Sequence, residues 1–406
     1  MTPDAAATAP ADDAPQPAPQ PLDAAALGIG RRPVLLLLDG SWALFRAFYA
    51  IRGMHGPDGR PTGAVFGILR QLEDLHRRVQ PAAVAICFDE TDTGFRTAID
   101  PTYKANRGET PPELADQWPR AVALLEALGQ RTLQHGQFEA DDLIATLATR
   151  GCAAGFDVVI ASADKDLGQL VADGDPRVVQ YDPGKDLWLD AAAVEARWGV
   201  PPAAVPEVQA LVGDAIDNIR GVAGIGAKTA AKIIREFGSV EGALARIDAV
   251  RPDKAQAALR AGAADARRCL QLVRLVCDAP IADRAGVPLD LDDLAPRLPD
   301  VAAAISQAAH LGFSGLSEWL SKDEGVRWPP PRRRSRRKHP MTARLNMHAA
   351  LDRVLKPVET ARPAAGPSWG FVRRLRGVAP PGRPSRTGSR PPASAKANSR
   401  QRRLPQ

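Results

Sequence analysis

The chain has 406 residues, with 53 Lys and Arg against 47 Asp and Glu and a formal net charge of +6. That length accommodates two domains plus tails, and apart from abundant Pro and scarce aromatics the composition is that of a globular protein. The clearest apolar run, Val34 to Leu38, is far too short to span a bilayer; the N-terminus has neither a basic region nor an apolar stretch, so no membrane segment or secretory leader is expected.

The charge is unevenly spread. From Val326 to Gln406 there are 21 Lys and Arg against only Asp352 and Glu359, which leaves 32 basic and 45 acidic residues elsewhere. An acidic body therefore carries a basic tail. Cys87, Cys152, Cys269 and Cys277 form no C-x-x-C pair, so free thiols and a reducing cytoplasmic setting are predicted.

Residues 1–30, an Ala/Pro/Asp/Gln mixture, hold almost nothing to bury and are predicted to be a disordered tail. The runs Val34–Leu38, Ala83–Phe88 and Val158–Ala161 read as strands buried on both faces. Helical patterns lie between them at 67–79, 121–128 and 140–150. Alternating strands and helices predict an α/β domain over 31–198 with a mostly parallel central sheet. After Trp198 the periodicity turns helical at 207–214, 228–237, 239–247 and 254–276, which predicts a helical domain over 199–320. Residues 321–406 become Arg-, Pro- and Ser-rich. They read either as a disordered tail with nonspecific attraction for phosphates or as an out-of-frame end of the gene.

Each of the three strands ends in or just before aspartate: Asp39, Asp89, then Asp164 and Asp166. In open α/β sheets ligands bind beyond the carboxyl ends of the strands. Glu139, Asp141 and Asp142 open a predicted helix, and Asp214 and Asp217 repeat a three-residue helical spacing. One such acid is ordinarily a solvated carboxylate or a helix cap. Nine gathered at one sheet edge would repel each other unless cations neutralise them. Oxygen donors suit Mg²⁺, with Mn²⁺ as substitute, and two such ions can stabilise the attacking and leaving oxygens of a phosphoryl displacement. No His or Cys pair has zinc-ligand spacing.

The segment Gly221-Val222-Ala223-Gly224-Ile225-Gly226-Ala227-Lys228-Thr229 fails as a P-loop, because Ala227 precedes the lysine. It also fails as a dinucleotide fingerprint, because no buried strand precedes it. It fits a glycine hairpin between two helices, over 221–226, which lets backbone approach a DNA phosphate without reading bases.

Together these motifs resemble the 5′-nuclease family: the 5′→3′ exonuclease domain of bacterial DNA polymerase I, its stand-alone relatives and flap endonucleases. The resemblance runs from about Pro33 to Leu320. It rests on Leu38-Asp39-Gly40, Phe88-Asp89, Phe95-Arg96, Tyr103-Lys104-Ala105-Asn106-Arg107, Glu139-Ala140-Asp141-Asp142, Asp164-Lys165-Asp166 and Gly213-Asp214 through Gly226. It implies a PIN-like sheet with a helical arch over about 90–130 and a helix-three-turn-helix element. It divides the acids between two metal sites: Asp39, Asp89, Glu139 and Asp141 at the first, and Asp164, Asp166, Asp214 and Asp217 at the second, with Asp142 in support. Lys104 and Arg107 are implied near the scissile phosphate, with Arg46 as a further phosphate contact. Arg96, Tyr103, Gly221, Gly224, Gly226, Lys228 and Thr229 are implied to bind DNA. The hairpin carbonyls are implied to hold a monovalent cation such as K⁺.

The expected activity is a Mg²⁺-dependent 5′→3′ exonuclease or flap endonuclease acting in replication or repair. Its expected partners are DNA with 5′ ends, flaps or nicks and RNA primers in duplex, met by a cytoplasmic, nucleoid-associated monomer. Three departures from the family pattern bear on substrate rather than on metal ligands: Arg220 stands where Pro is frequent, Gly94 where Thr is frequent, and Glu109 adds an acid beside the arch. A PIN-type ribonuclease, a noncatalytic binder of branched DNA and the nuclease part of a truncated polymerase gene are the alternatives.

Overall fold

The structure is a computed structural model that describes residues 23–90 and 94–322; most of the two predicted tails lies outside them. Its first strand, β1 (Val34–Asp39), has no polar residue before Asp39 and is buried throughout. The chain then forms α1 (Gly40–Ala50), α2 (Gly63–Val79), β2 (Ala83–Cys87), α3 (Phe95–Ile99), α4 (Pro112–Ala127), β3 (Thr132–Leu133), α5 (Ala140–Ala153), β4 (Asp157–Ala161), β5 (Val178–Asp182) and β6 (Leu187–Leu189). The sheet order is β3-β2-β1-β4-β5-β6. All neighbours pair in parallel except β5 with β6.

Because β1 has a parallel partner on each side, alternate side chains enter two separate cores. Leu36, Leu38, Ile86 and Val159 face one, under α1, α2 and α4. Leu35, Leu37, Ala85 and Ile160 face the other, under α5. The two-residue β3 and the short β6 gave no periodic signal, and Val178–Asp182 ends in polar residues, so none of these three strands was legible in the sequence.

Four expectations change. The tail predicted over 1–30 is ordered from Asp23: residues 24–30 form a turn that buries Leu27 and Ile29 in the first core. The stretch expected to arch divides at Pro112. Residues 94–111 make short helix and turn, whereas α4 is a core helix whose Leu114, Ala121, Leu124 and Leu125 are fully buried. The predicted helix over 254–276 breaks at Gly262 into α10 (Asp253–Ala261) and α11 (Ala263–Val273), a position where glycine is required because a Cβ would press on Val222.

The fourth change concerns the helical domain. Its body comprises α6 (Ala191–Trp198), α7 (Val205–Val212), the two-residue strands β7 (Gly213–Asp214) and β8 (Ile219–Arg220), α8 (Ala227–Phe237), α9 (Val240–Ala245), α10 and α11 around a third core. The last helices, α12 (Val301–Leu311) and α13 (Ser314–Lys322), return to the sheet and bury Ala308, Leu311, Phe313 and Leu320 in the first core. Residues 275–294 likewise close the second core through Leu275, Ile281, Leu289 and Leu294. Residues 199–320 are therefore not one packing unit.

Candidate active site

From β1 the chain runs outward through β2 to β3 on one side, and from β4 to β5 on the other. The carboxyl ends of β1 and β4 thus form the crevice at which this kind of sheet binds ligands. Asp39 ends β1 and caps α1: its Oδ1 accepts from the Trp42 amide at 2.9 Å and its Oδ2 from the Ser162 hydroxyl at 2.8 Å. Gly40 beside it leaves no room for a Cβ against the Phe88 ring, so the Asp-Gly pair is set by packing as well as chemistry. Asp89, just past β2, donates its backbone amide to the Ser41 hydroxyl oxygen at 2.8 Å, and its carboxylate accepts from the Ala140 amide at 2.9 Å. That bond brings the start of α5, and with it Asp141, to the same crevice. Asp164, past β4, accepts from the Asp166 amide at 2.8 Å.

These four acids act on each other. Burial, then the neighbouring charges of Asp89 and Asp164, push the Asp39 carboxyl up to about 7. Burial and then Asp164, Asp39 and Asp89 push Asp141 well above the usual carboxylate range. Asp166 is raised to about 6 by burial and by Asp164, against the opposing pull of Lys165 and a 2.6 Å hydrogen bond from the Gln209 amide.

The other predicted ligands have basic partners. Glu139 accepts from the Lys104 ammonium at 2.7 Å and the Tyr103 hydroxyl at 3.0 Å. Burial would raise its pKa, but Lys104 and Arg96 hold it below the ordinary value. Asp214, on β7, pairs with Lys165, and Asp217 pairs with Arg107 at 2.5 Å. Lys165 was not singled out in the sequence, although it stands between Asp164 and Asp166; a cation inside an Asp-x-Asp motif was the available signal.

Asp142 is placed differently from the metal-supporting role expected for it. It is wholly buried and takes both guanidinium nitrogens of Arg96, at 2.6 and 2.7 Å, together with the amides of Val276 and Glu139. Its lone pairs are used inside the protein. Arg96 likewise lies 3% exposed, its Nε donating to the Leu272 carbonyl at 2.8 Å, so this arginine ties α3, α5 and α11 together and presents nothing to DNA. Tyr103 is buried on Glu139, which withdraws it from a stacking surface. Gly221 is explained by backbone crossing: a Cβ on it would overlap Val212 and Gly213.

The segment 100–107 lies across the loop 214–218. The Lys104 amide donates to the Asp217 carbonyl at 2.9 Å, the Asn106 amide to the Ala215 carbonyl at 3.0 Å and the Asn218 amide to the Thr102 carbonyl at 2.7 Å. Lys104 takes a left-handed backbone, φ +56°, unusual for a side-chain-bearing residue. Burial lowers and Glu139 more than restores the affinity of its ammonium for a proton. Arg46 lies apart from this cluster on α1, over the Trp42 ring at 5.6 Å. In the glycine hairpin, Gly224 has φ +86° and Gly226 precedes α8; Gly224, Gly226 and Lys228 are exposed and Thr229 is half-buried.

As a donor set, Asp39, Asp89, Asp141 and Asp164 offer only carboxylate oxygens in a partly buried crevice, and their charges lie close enough to push Asp39 and Asp141 up. That chemistry fits a hard divalent cation. Among the described residues, no three His, Cys, Asp or Glu side chains are arranged as a closed metal cage.

Comparison with known proteins assigns the class. The 5′-3′ exonuclease N-terminal resolvase-like domain matches residues 34–199, and the 5′-3′ exonuclease C-terminal SAM fold matches residues 200–301. The chain belongs to the 5′-3′ exonuclease family. It is 36% identical over 288 residues to DNA polymerase I of Bacillus caldotenax, a match covering 70% of this chain and 32% of that protein. It is 41% identical over 257 residues to DNA polymerase I of Mycobacterium tuberculosis, covering 62% and 28%. The chain thus spans about a third or less of the length of the curated relatives it matches. Among solved structures, the bacteriophage T5 D15 flap endonuclease in complex with DNA and metal ions is 22% identical, covers 71% of this chain and 97% of its own, and superposes with a TM-score of 0.50. It shares the fold: a mostly parallel sheet followed by a helical domain.

Proposed function

We propose that this chain hydrolyses phosphodiester bonds of DNA at 5′ ends, nicks and flaps. The observation that carries the reading is the set of four mutually repelling aspartates, from β1, β2, β4 and α5, at the one crevice where a sheet of this order binds ligands. The family membership and the DNA and metal ions bound to the T5 relative support it.

In this reading Asp39, Asp89, Asp141 and Glu139 hold one divalent cation, and Asp164, Asp166, Asp214 and Asp217 a second. Mg²⁺ or Mn²⁺ there would supply Lewis-acid stabilisation of the attacking and leaving oxygens. Lys104 and Arg107, which stand on Glu139 and Asp217, place two positive charges where negative charge develops on the phosphoryl oxygens. Lys165, on Asp166 and Asp214, adds a third. The exposed glycine hairpin and Lys228 hold duplex backbone, the hairpin carbonyls a K⁺ ion, and Arg46 a more distant phosphate. DNA flaps and RNA primers in duplex are both substrates of this chemistry, which suits replication and repair.

Asp141→Ala and Asp164→Ala should each slow Mg²⁺-dependent cleavage of a 5′-labelled flap by at least about 100-fold. Binding of the same flap, followed in Ca²⁺, should remain. Wild-type turnover in either variant would overturn the assignment.

A further inference from the structure

Between the two acids of the 214–217 loop stands an apolar residue that the chemistry above does not use. Ile216 is 68% exposed, the most exposed of the five large apolar side chains found on the surface of the described residues. A tight loop ordinarily carries Gly, Asn, Asp or Ser, although single exposed apolar residues are common on protein surfaces. This loop is not free. The Ile216 amide donates to Asp214 Oδ1 at 2.9 Å. Ala215 and Asp217 are pinned through their carbonyls by Asn106 and by the Lys104 amide, Asn218 is tied to Thr102, and Arg107 holds the Asp217 carboxylate. One bond within the loop and four to the segment 102–107 thus fix the backbone that holds a β-branched side chain, itself stiff at χ1, in solvent. It projects one residue from Asp217 and two from Asp214.

The geometry points to Ile216 as an apolar wedge that packs against the base next to the scissile phosphate and helps to separate it from its partner. This rests on the nuclease reading. A phosphate beside Lys104 and Arg107 lies against the same loop, so the adjoining nucleotide is the ligand that reaches Ile216. Apolar side chains inserted at a base step, isoleucine among them, are a known way to unstack DNA. An aliphatic side chain has no hydrogen-bond selectivity, so the contact is blind to base identity and sensitive to pairing. Ile216 is a specificity residue on this account, and it takes no part in the chemical step.

The test compares Ile216→Ala, Ile216→Leu and wild type on two DNAs of one sequence in Mg²⁺: a nicked duplex end, where the base must be unpaired, and the single strand. The ratio of duplex-end to single-strand kcat should fall about 10-fold in Ile216→Ala and recover in Ile216→Leu. A 2-aminopurine at the terminal base, read in Ca²⁺, should brighten with wild type and with Ile216→Leu but less with Ile216→Ala. An unaltered ratio in Ile216→Ala, or an equal fall on both substrates, overturns the wedge. A wild type that cuts neither DNA refutes the nuclease reading itself, a result distinct from either.

Discussion

Two sets of acids share this crevice, and they differ in how their charge is met. Asp39 and Asp141 are pushed up by burial and by each other's neighbours. Glu139, Asp142, Asp214 and Asp217 each lie against a cation from this chain: Lys104, Arg96, Lys165 and Arg107. The first set stores repulsion that a proton or an added cation relieves, whereas the second is neutralised by partners of the same chain. Carboxylates near one another in sequence, such as Asp141 and Asp142, fall on opposite sides of this division because one helical step turns one toward the crevice and the other toward Arg96. An acid in a metal-site motif therefore need not be a ligand: Asp142, wholly buried with its oxygens taken by Arg96 and two amides, faces away from the crevice.

The largest test of that contrast is at the neutralised end. Arg96→Ala leaves the wholly buried Asp142 without its bidentate partner, and breaking a buried pair from one side costs about 3–5 kcal/mol. Chemical denaturation should show a loss of that size. The double variant Arg96→Met with Asp142→Leu should recover part of it, because no buried charge is then left unpaired, although the Val276 and Glu139 amides and the Leu272 carbonyl lose these partners. A stable Arg96→Ala protein would mean that the pair does not hold α3 on α5.

At the repelling end the expected effect is smaller and depends on metal. A ligand that binds only the folded state stabilises it by about 2.7 kcal/mol at a hundred times its Kd. Thermal denaturation of wild type should rise accordingly with Mg²⁺, and Asp141→Asn should lose most of that rise. Arg96→Met with Asp142→Leu should keep it, because that pair lies behind the crevice. Equal metal responses in the Asp141 and Asp142 variants would erase the distinction.

Much of this was legible in the sequence, and the reasons are physical. Val34–Leu38 and Val158–Ala161 are strands without a polar residue, so their ends, and the aspartates there, could be placed. The convergence of Asp39, Asp89, Asp141 and Asp164 then follows from strand order. What could not be read is pairing between residues far apart in the chain. Arg96 reaches Asp142 across 46 residues and Leu272 across 176, and no local pattern distinguishes it from a phosphate-binding arginine. Gly221 was read as a DNA contact because glycine permits close approach; what approaches is Gly213 of the same chain. Helices α12 and α13 have ordinary amphipathic patterns that do not say which core receives them.

The subtlest expected effect is on pH. Asp39 holds its proton up to about 7 in the folded protein, against 3.8 for an unhindered carboxyl, and Asp166 is raised in the same direction, to about 6. Between these limits the folded state binds more protons than the unfolded one, so stability must fall as pH rises. In EDTA, raising the pH from 6.5 to 8 should therefore cost on the order of 1 kcal/mol. The window stops at 6.5 because His76, pushed down to about 4 by burial, works oppositely below that: its neutral form stabilises the fold, and that stability drains away as pH drops from 6.5 toward 4. With Mg²⁺ the fall should flatten toward zero, since the bound cation already displaces the protons from the same oxygens and the unfolded carboxylates hold none to release above pH 6.5. Denaturation curves at the two pH values, with EDTA and with Mg²⁺, decide it. Identical slopes in both media would show that the crevice acids neither repel one another nor hold a cation, and the contrast between the two sets would have no energetic content.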